Sequence, residues 1–411
     1  MHSVSFSVLR ERNLALYVGS VTVSTLGSSM ASVALAFAVL AIGTPSDLGF
    51  VLVAREIPIV AFLLLGGVWA DRVSRQRLLV VADVARGLAQ GVGALLLLTG
   101  TASVWKLAGL QVAFGVADAF SRPATVGIVA QIAAPEALQR ANSLISLSRS
   151  SLRIAGPAAG AAIVVAASPG WALAGDALTF AVSAILLATL RLPGTVRTAG
   201  AGVLGDLRDG WREFSSRTWV WVMVVSFGLF QLTAFPALFV LGPYVAKTEL
   251  GGAGAWGTLL AFSAGGAFLG GLIGLRFRPA RPLVTSCLLC VPMAVLLALL
   301  GEGVSLWTLV PVGLVASGCL DAADIYWQTT LQQKVPAHAI SRVASFDWFG
   351  SVVLNPIGFA LVGPLSGAAG VPATLLGAAA LNGAVSIAIA SVPAIRAVRP
   401  GAEAAMAPAA A

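Results

Sequence analysis

Seven carboxylic acids stand inside stretches that are otherwise apolar: Glu56, Asp83, Asp118, Asp176, Asp321, Asp324 and Asp347. Five arginines share such stretches: Arg55, Arg86, Arg122, Arg149 and Arg153. A charge in apolar surroundings has to be neutralised, either by a partner or by a proton. The first solution is a fixed ion pair. The second is a site that loads and releases protons. Glu56 and Asp118 lie deepest, Glu56 near mid-depth at ~1.5 Å of rise per helical residue, and Asp347 comes next. These three are the candidate proton carriers, with a permanent salt bridge as the competing reading. Asp83 and Arg86 are spaced i, i+3 and should pair on one helix face. Arg149 and Arg153, spaced i, i+4, are candidates to meet Asp118 or Asp83. Asp83 lies close to the inner edge of its segment, where support for a gate is expected. Asp176 lies near the outer end of its own, where capping or snorkelling would serve it. Asp321 and Asp324 fall near an inner mouth, and Arg122 is placed to snorkel inward.

Two glycine-bearing motifs stand out. Gly66-Gly67-Val-Trp-Ala-Asp71-Arg72-Val-Ser-Arg75-Gln-Arg77 puts one acid at a helix end among three arginines. Such a cluster can latch a gate through charge-assisted hydrogen bonds, while its glycines allow close helix contact. The plainer reading is a short basic loop with one acid. In Gly156-Pro157-Ala-Ala-Gly160 the glycines form a flat face and the proline frees a backbone carbonyl, permitting a kink. Its plainer reading is small-residue packing, as at Gly266, Gly270 and Gly274.

The elements that carry these groups follow from composition. The 411 residues are 58% apolar and only 10% charged, with mean hydropathy +0.92, against about 25% charged in a soluble domain. A soluble enzyme and a disordered chain are both excluded. Twelve apolar segments reach about 20 residues, the length that crosses a bilayer. They run over 14–41, 47–69, 78–99, 104–130, 141–167, 170–190, 219–246, 253–275, 283–300, 304–331, 341–366 and 371–395. With the N-terminus inside, the basic residues sort to one side. Arg10 and Arg12, Arg72 to Arg77, Arg140, Arg191 to Arg217, Arg276 to Arg281, Lys334 and Arg342, and Arg396 and Arg399 are internal. Only Lys106 and Lys247 fall outside, which puts both termini in the cytoplasm. This asymmetry accounts for the net charge of +8 without nucleic acid. The first segment reads as a retained span, not a signal peptide.

The organisation expected is a six-helix bundle over 1–190, a cytoplasmic linker over 191–218, a second six-helix bundle over 219–399 and a disordered tail over 400–411. Within the linker, 203–214 could lie on the inner surface as an amphipathic helix. At an offset of 204 residues, Gly66, Gly67, Arg72 and Arg77 meet Gly270, Gly271, Arg276 and Arg281. Parallel halves of this kind place a substrate path at their interface. Most tryptophans, including Trp105, Trp171, Trp256 and Trp307, fall at segment ends, as an interfacial belt would have them. Phe227, Phe230, Phe235, Phe239 and Phe262 either line an apolar cavity or face lipid. Cys287 and Cys290 have C-x-x-C spacing in an apolar helix and read as packing. No Gly-Lys-Ser/Thr loop is present for ATP, and no nucleophile–His–acid set for catalysis.

The first motif resembles the signature between the second and third spans of the major facilitator superfamily, G-x-x-x-D-R-x-x-R-[KR]. Gly67, Asp71, Arg72 and Arg75 fit it; Gln76 departs from the basic residue, and Arg77 carries a charge one place later. The second motif is similar to that superfamily's antiporter signature, G-P-x-x-G-G, with Ala161 in the last place. Phe120-Ser-Arg122-Pro123, Trp171 to Asp176, Trp327-Gln328 and Asp347-Trp348 resemble its twelve-span drug, macrolide and siderophore exporters. The fourth-span arginine of many such antiporters has no match, and Gln111 stands near its place. The resemblance implies an all-α integral membrane fold of twelve transmembrane helices in two pseudo-symmetric six-helix bundles, with Asp71 latching the inner gate. It also implies a proton-coupled exporter of amphipathic small molecules in the bacterial inner membrane. A siderophore or metabolite exporter of the same fold is the alternative, and a lipid flippase or a non-transporting sensor or scaffold the alternative of another class. The expected partners are a small-molecule substrate, protons and the lipid bilayer. No nucleic acid, cofactor or metal is expected, and the chain is expected to act as a monomer.

Overall fold

The computed structural model describes residues 12–72, 74–132, 138–190, 211–336 and 340–399; for 63–72, for further positions within 122–154 and 340–345, and at 275, only the backbone is described. The linker residues 191–210 and the tail 400–411 lie outside the described residues. Among the described residues there is no strand.

All twelve expected segments are helical. The first six are α1 (Arg12–Ile42), α2 (Pro45–Arg72), α3 (Arg75–Leu98), α4 (Val104–Ile132), α5 (Leu138–Ala166) and α6 (Pro169–Ala188). The seventh is α7 (Thr218–Pro236), continued by a π-helical turn (Ala237–Leu241) and α8 (Gly242–Glu249). Then come α9 (Ala253–Arg276), α10 (Pro282–Leu288), α11 (Val291–Gly301), α12 (Leu306–Lys334), α13 (Ile340–Val352), α14 (Asn355–Ala369), α15 (Val371–Ser391) and α16 (Pro393–Arg396). Prolines stand at the breaks. Pro292 follows the turn that splits the ninth segment, Pro356 the turn that splits the eleventh, and Pro236 precedes the π turn, because proline cannot donate to the preceding turn. Among the described residues, nine helices are long and apolar enough to cross a membrane.

The chain forms two compact units, Met1–Thr198 with Pro243–Ala261, and Ala199–Gly242 with Phe262–Ala411. In the first unit α1 packs on α5 and α6, α2 on α4, and α3 on α4 and α6. Its core is bulky at one end, around Leu14, Tyr17, Ile128 and Leu187, and built of alanines at the other, around Ala31, Ala34, Ala94 and Ala172. In the second unit α7 packs on α13, α14 and α15, and α11 on α12 and α15. Its main core gathers Val220, Met223, Leu283, Cys287, Trp327 and Leu331.

Helix α3 shows which solvent this fold meets. Asp83 and Gln90 are buried, and the Arg86 side chain nearly so. Val81, Val84, Leu88 and Leu95 on the other face are exposed, Leu88 by 65%. That is the reverse of a water-soluble amphipathic helix. It is stable where the surroundings are themselves apolar and every polar group is satisfied inward. Trp105, Trp171 and Trp307 are exposed near helix ends, as an interfacial belt requires, whereas Trp256 is buried in the first unit. At the linker's end, 211–215 is helical, and Phe214 is buried against Phe346 at 5.8 Å between ring centroids; the expected helix over 203–210 lies outside the described residues.

Candidate functional site

The in-span charges of the N-terminal unit converge. Arg86 on α3 ion-pairs through Nη2 with Asp83 Oδ1, one turn earlier, and donates through Nη1 to Asp118 Oδ1 on α4 at 3.2 Å. Ser183 on α6 donates to the other oxygen of Asp83 at 2.5 Å. One turn further along α3, Gln90 Nε2 donates to Asp176 Oδ2 at 2.6 Å, and Thr179 Oγ1 lies 3.3 Å from Asp176 Oδ1. Asp176 is fully buried, and among the described residues it has no ion pair. It is therefore neither a surface cap nor a snorkelling group.

Aromatic rings carry the cluster on. The Arg86 guanidinium stacks over Phe180 at 4.7 Å, Phe180 meets Phe114 edge to face at 5.7 Å, and the Arg55 guanidinium covers Phe114 at 4.4 Å. Cation–π contacts of this kind stabilise a guanidinium away from water. Gly115 lets α2 approach, since a Cβ there would strike the Arg55 carbonyl. The result is a chain of two cations and three carboxylates, Arg55, Arg86, Asp83, Asp118 and Asp176, of which Arg86 alone serves two acids. In such a buried polar network the members depend on one another.

Sequence reading found the Asp83–Arg86 pair but assigned the cross-helix role to Arg149 and Arg153. Arg149 is exposed, and the side chain of Arg153 lies outside the described residues. Gln90, Ser183, Thr179 and Phe114 were missed. Their signal was present: Asp83, Arg86 and Gln90 fall at i, i+3, i+7, and Asp176, Thr179 and Ser183 repeat that spacing on α6, so each set marks one polar stripe. Glu56 is half-buried on α2 beside Arg55.

Of the first motif, Gly67, Asp71 and Arg72 lie on the helical backbone of α2, and their side chains are outside the described residues. Ser74 caps α3, its Oγ accepting from the Arg77 backbone N–H at 3.3 Å; Arg75 is half-buried and Arg77 exposed. Gln76, the departure from the pattern, donates to the Leu187 and Leu190 carbonyls at 2.8 and 2.9 Å. It thereby satisfies carbonyls that the end of α6 leaves open. In the second motif, Gly156, Pro157 and Gly160 are buried. A Cβ at Gly156 would strike Ser29, and one at Gly160 the Met30 backbone. The glycine face is thus the contact surface of α5 with α1.

The C-terminal unit holds a different feature. A cavity of ≈ 240 Å³ opens between α7, α12 and α13, lined by Phe227, Phe230, Gln231, Leu320, Asp324, Trp327, Gln328, Asp347, Trp348, Ser351 and Val352. Phe227 and Phe230 thus face a cavity. Asp347 is 4% exposed and its Oδ2 accepts from Trp327 Nε1 at 3.1 Å. Cys287 and Cys290 are buried, Cys287 Sγ lying 3.6 Å from Met223 Sδ.

Known proteins share the sequence pattern and the fold of this chain. The multidrug efflux pump Tap of Mycolicibacterium fortuitum is 28% identical over 366 residues, covering 81% of this chain and 84% of that protein. Among solved structures, a bacterial homologue of the human lysosomal transporter Spinster superposes with TM-score 0.71 at 16% identity, covering 93% of this chain and 97% of the other. The nucleoside transporter NupG gives 0.72 at 12% identity, with coverage of 92% and 98%. A bacterial homologue of the iron transporter ferroportin gives 0.69 at 18%, with coverage of 94% and 100%. The profile of the Major Facilitator Superfamily matches residues 18–358, and with its helical fold and apolar exterior the chain belongs to that superfamily: it is a multi-pass membrane transporter and not an enzyme.

Proposed function

We propose that this transporter is a proton-coupled exporter of amphipathic small molecules, working by alternating access in the bacterial inner membrane. It crosses twelve times as two six-helix bundles, with both termini in the cytoplasm. The observation that carries proton coupling is the buried array of the N-terminal unit, where Asp83 and Asp118 share the Arg86 guanidinium and Asp176 rests on an amide and a hydroxyl. Uptake of a proton by one of these acids changes the charge that the bundle buries. Taking up that proton from one side and releasing it to the other biases the two states of the carrier. Asp71 latches the inner gate, and the Gly156-Pro157-Gly160 face lets α5 slide on α1. The similarity to a multidrug efflux pump supports export of drug-like compounds.

The test is a reconstituted vesicle carrying an imposed proton gradient. Substrate addition should drive a proton flux that an uncoupler abolishes. Asp118→Asn should remove that flux while the purified protein still binds substrate. Substrate movement that ignores the uncoupler would exclude proton coupling. Asp71→Asn should sharply reduce transport with insertion unchanged, and normal flux in that variant would remove the latch.

A further inference from the structure

One end of the second unit, where α9, α12 and α16 finish and α7 and α10 begin, is ringed with cations. Arg212, Arg276, Arg281, Lys334, Arg396 and Arg399 are all exposed there. A shared core brings these helix ends together: Phe214, Leu283, Leu331, Val335 and Ile395 pack in one cluster. Among the described residues none of the six cations pairs with a carboxylate, whereas Arg217 beside them is neutralised by Glu213 at 2.6 Å. The turns after α11 and α14, at the opposite end, carry Glu302 and no lysine or arginine. Like charges gathered at one end repel one another, and an anion among them relieves the repulsion.

Helix α16 fixes the arrangement. Val392 is extended, with ψ 128°, so α15 ends there and Pro393 opens a separate turn. That turn packs against α10 and α7. Ile395 is fully buried in the shared core, while Arg396 beside it and Arg399 one turn on stay exposed. Arg281 stands immediately before α10, and Arg212 lies on the helical turn 211–215 that leads into α7. The arginines therefore surround one anchored turn, and their planar guanidinium groups match phosphate oxygens two at a time.

Exposed rings decide which anion fits. Trp211, next to Arg212, is 57% exposed, its ring held 5.7 Å from those of Phe214 and Phe346 between centroids. Phe277, next to Arg276, is equally exposed. A ring beside an arginine at a helix end suits the headgroup layer of a bilayer. A free phosphate would meet the arginines and leave the rings in water. A phospholipid satisfies both, its phosphate on guanidinium and its glycerol and acyl region on the rings.

We propose that this face binds anionic phospholipid, with the phosphate among Arg212, Arg281, Arg396 and Arg399 and the Trp211 and Phe277 rings in the headgroup layer. The site does not depend on what the carrier exports. The orientation proposed above serves only to name the leaflet as the cytoplasmic one.

The test is equilibrium binding of dioctanoyl phosphatidylglycerol to the purified full-length protein in detergent, read as the lipid concentration that raises the thermal midpoint. Zwitterionic dioctanoyl phosphatidylcholine is the control. The anionic lipid should bind roughly tenfold or more tightly. Each cation near a lipid surface contributes on the order of fivefold, so Arg281→Gln/Arg396→Gln/Arg399→Gln should bring the two lipids close to equality. The charge-matched variant Arg12→Gln/Lys106→Gln/Arg149→Gln should keep the preference. Equal binding of the two lipids by the parent protein overturns the proposal. So does an equal loss in the two triple variants, which would make net charge responsible and not this face. If the first variant is not recovered folded, the parent protein's preference must fall severalfold as sodium chloride rises from about 0.05 to about 0.5 M; a flat preference overturns the proposal equally. Inorganic phosphate should displace the lipid no better than sodium chloride of the same ionic strength. Selective displacement by phosphate would mark a free-anion site and overturn the lipid assignment.

Discussion

In the N-terminal unit each of the buried acids Asp83, Asp118 and Asp176 has donors around it: Arg86 and Ser183 for Asp83, Arg86 for Asp118, Gln90 and Thr179 for Asp176. In the C-terminal unit Asp347 accepts from the Trp327 indole and lies at the edge of a cavity. Both regions bury carboxylates in apolar surroundings, yet they meet the cost differently. The first is closed by cations and aromatic rings and contributes to the rigidity of its bundle. The second rests on an indole N–H, and among the described residues no lysine or arginine lines its cavity. Stability should therefore respond differently to substitution in the two regions.

The largest expected effect is that of Arg86→Met. Removing the cation shared by two buried acids should destabilise by about 3–5 kcal/mol and abolish transport, read as the thermal midpoint in detergent and as flux in vesicles. The double variant Arg86→Met/Asp83→Asn should recover part of the midpoint; no recovery would mean that the two groups do not act as a pair. Next is Ser183→Ala, which takes a hydrogen bond from a charged acceptor and should cost about 1.5–3 kcal/mol. Phe180→Leu should lower the midpoint further down the scale, by about 1–2 kcal/mol, through loss of ring stacking and the Arg86 cation–π contact. Gln76→Ala should cost about 1 kcal/mol, whereas Gln76→Arg, which keeps the donors for the end of α6, should stay near the parent protein. At the small end is Asp347→Asn, which keeps an acceptor for the Trp327 indole and should leave the midpoint nearly unchanged. A steep drop there would erase the contrast between the two regions.

Much of this was legible in the sequence, for identifiable reasons. The helices follow from apolar run lengths. The Asp83–Arg86 pair follows from i, i+3 spacing. Which neighbour stands opposite across a helix interface was harder to read. Asp176 looked peripheral by its distance from the segment's end, yet it faces Gln90, because α3 and α6 pack along their whole lengths. Depth counted along one helix does not tell which neighbour stands opposite. Trp256 misled in the same way: its position at a helix start suggested an interfacial anchor, but its ring is 2% exposed. Phe227 and Phe230 were ambiguous because periodicity shows that a face is apolar, not whether lipid or a cavity lies against it. The hydrogen bond from Trp327 to Asp347 joins two helices and has no trace in residue order.

The amide of Gln76 fastens the first turn of α3 to the last carbonyls of α6, and residues 191–210 depart from that same point. The turn between α2 and α3 and the root of the interdomain connection are thus tied together. A tilt of that turn would therefore pull on the end of α6, where the described part of the first bundle stops. Shortening or stiffening the connection that begins there should accordingly alter how readily the carrier changes face, although none of its residues need touch cargo or proton.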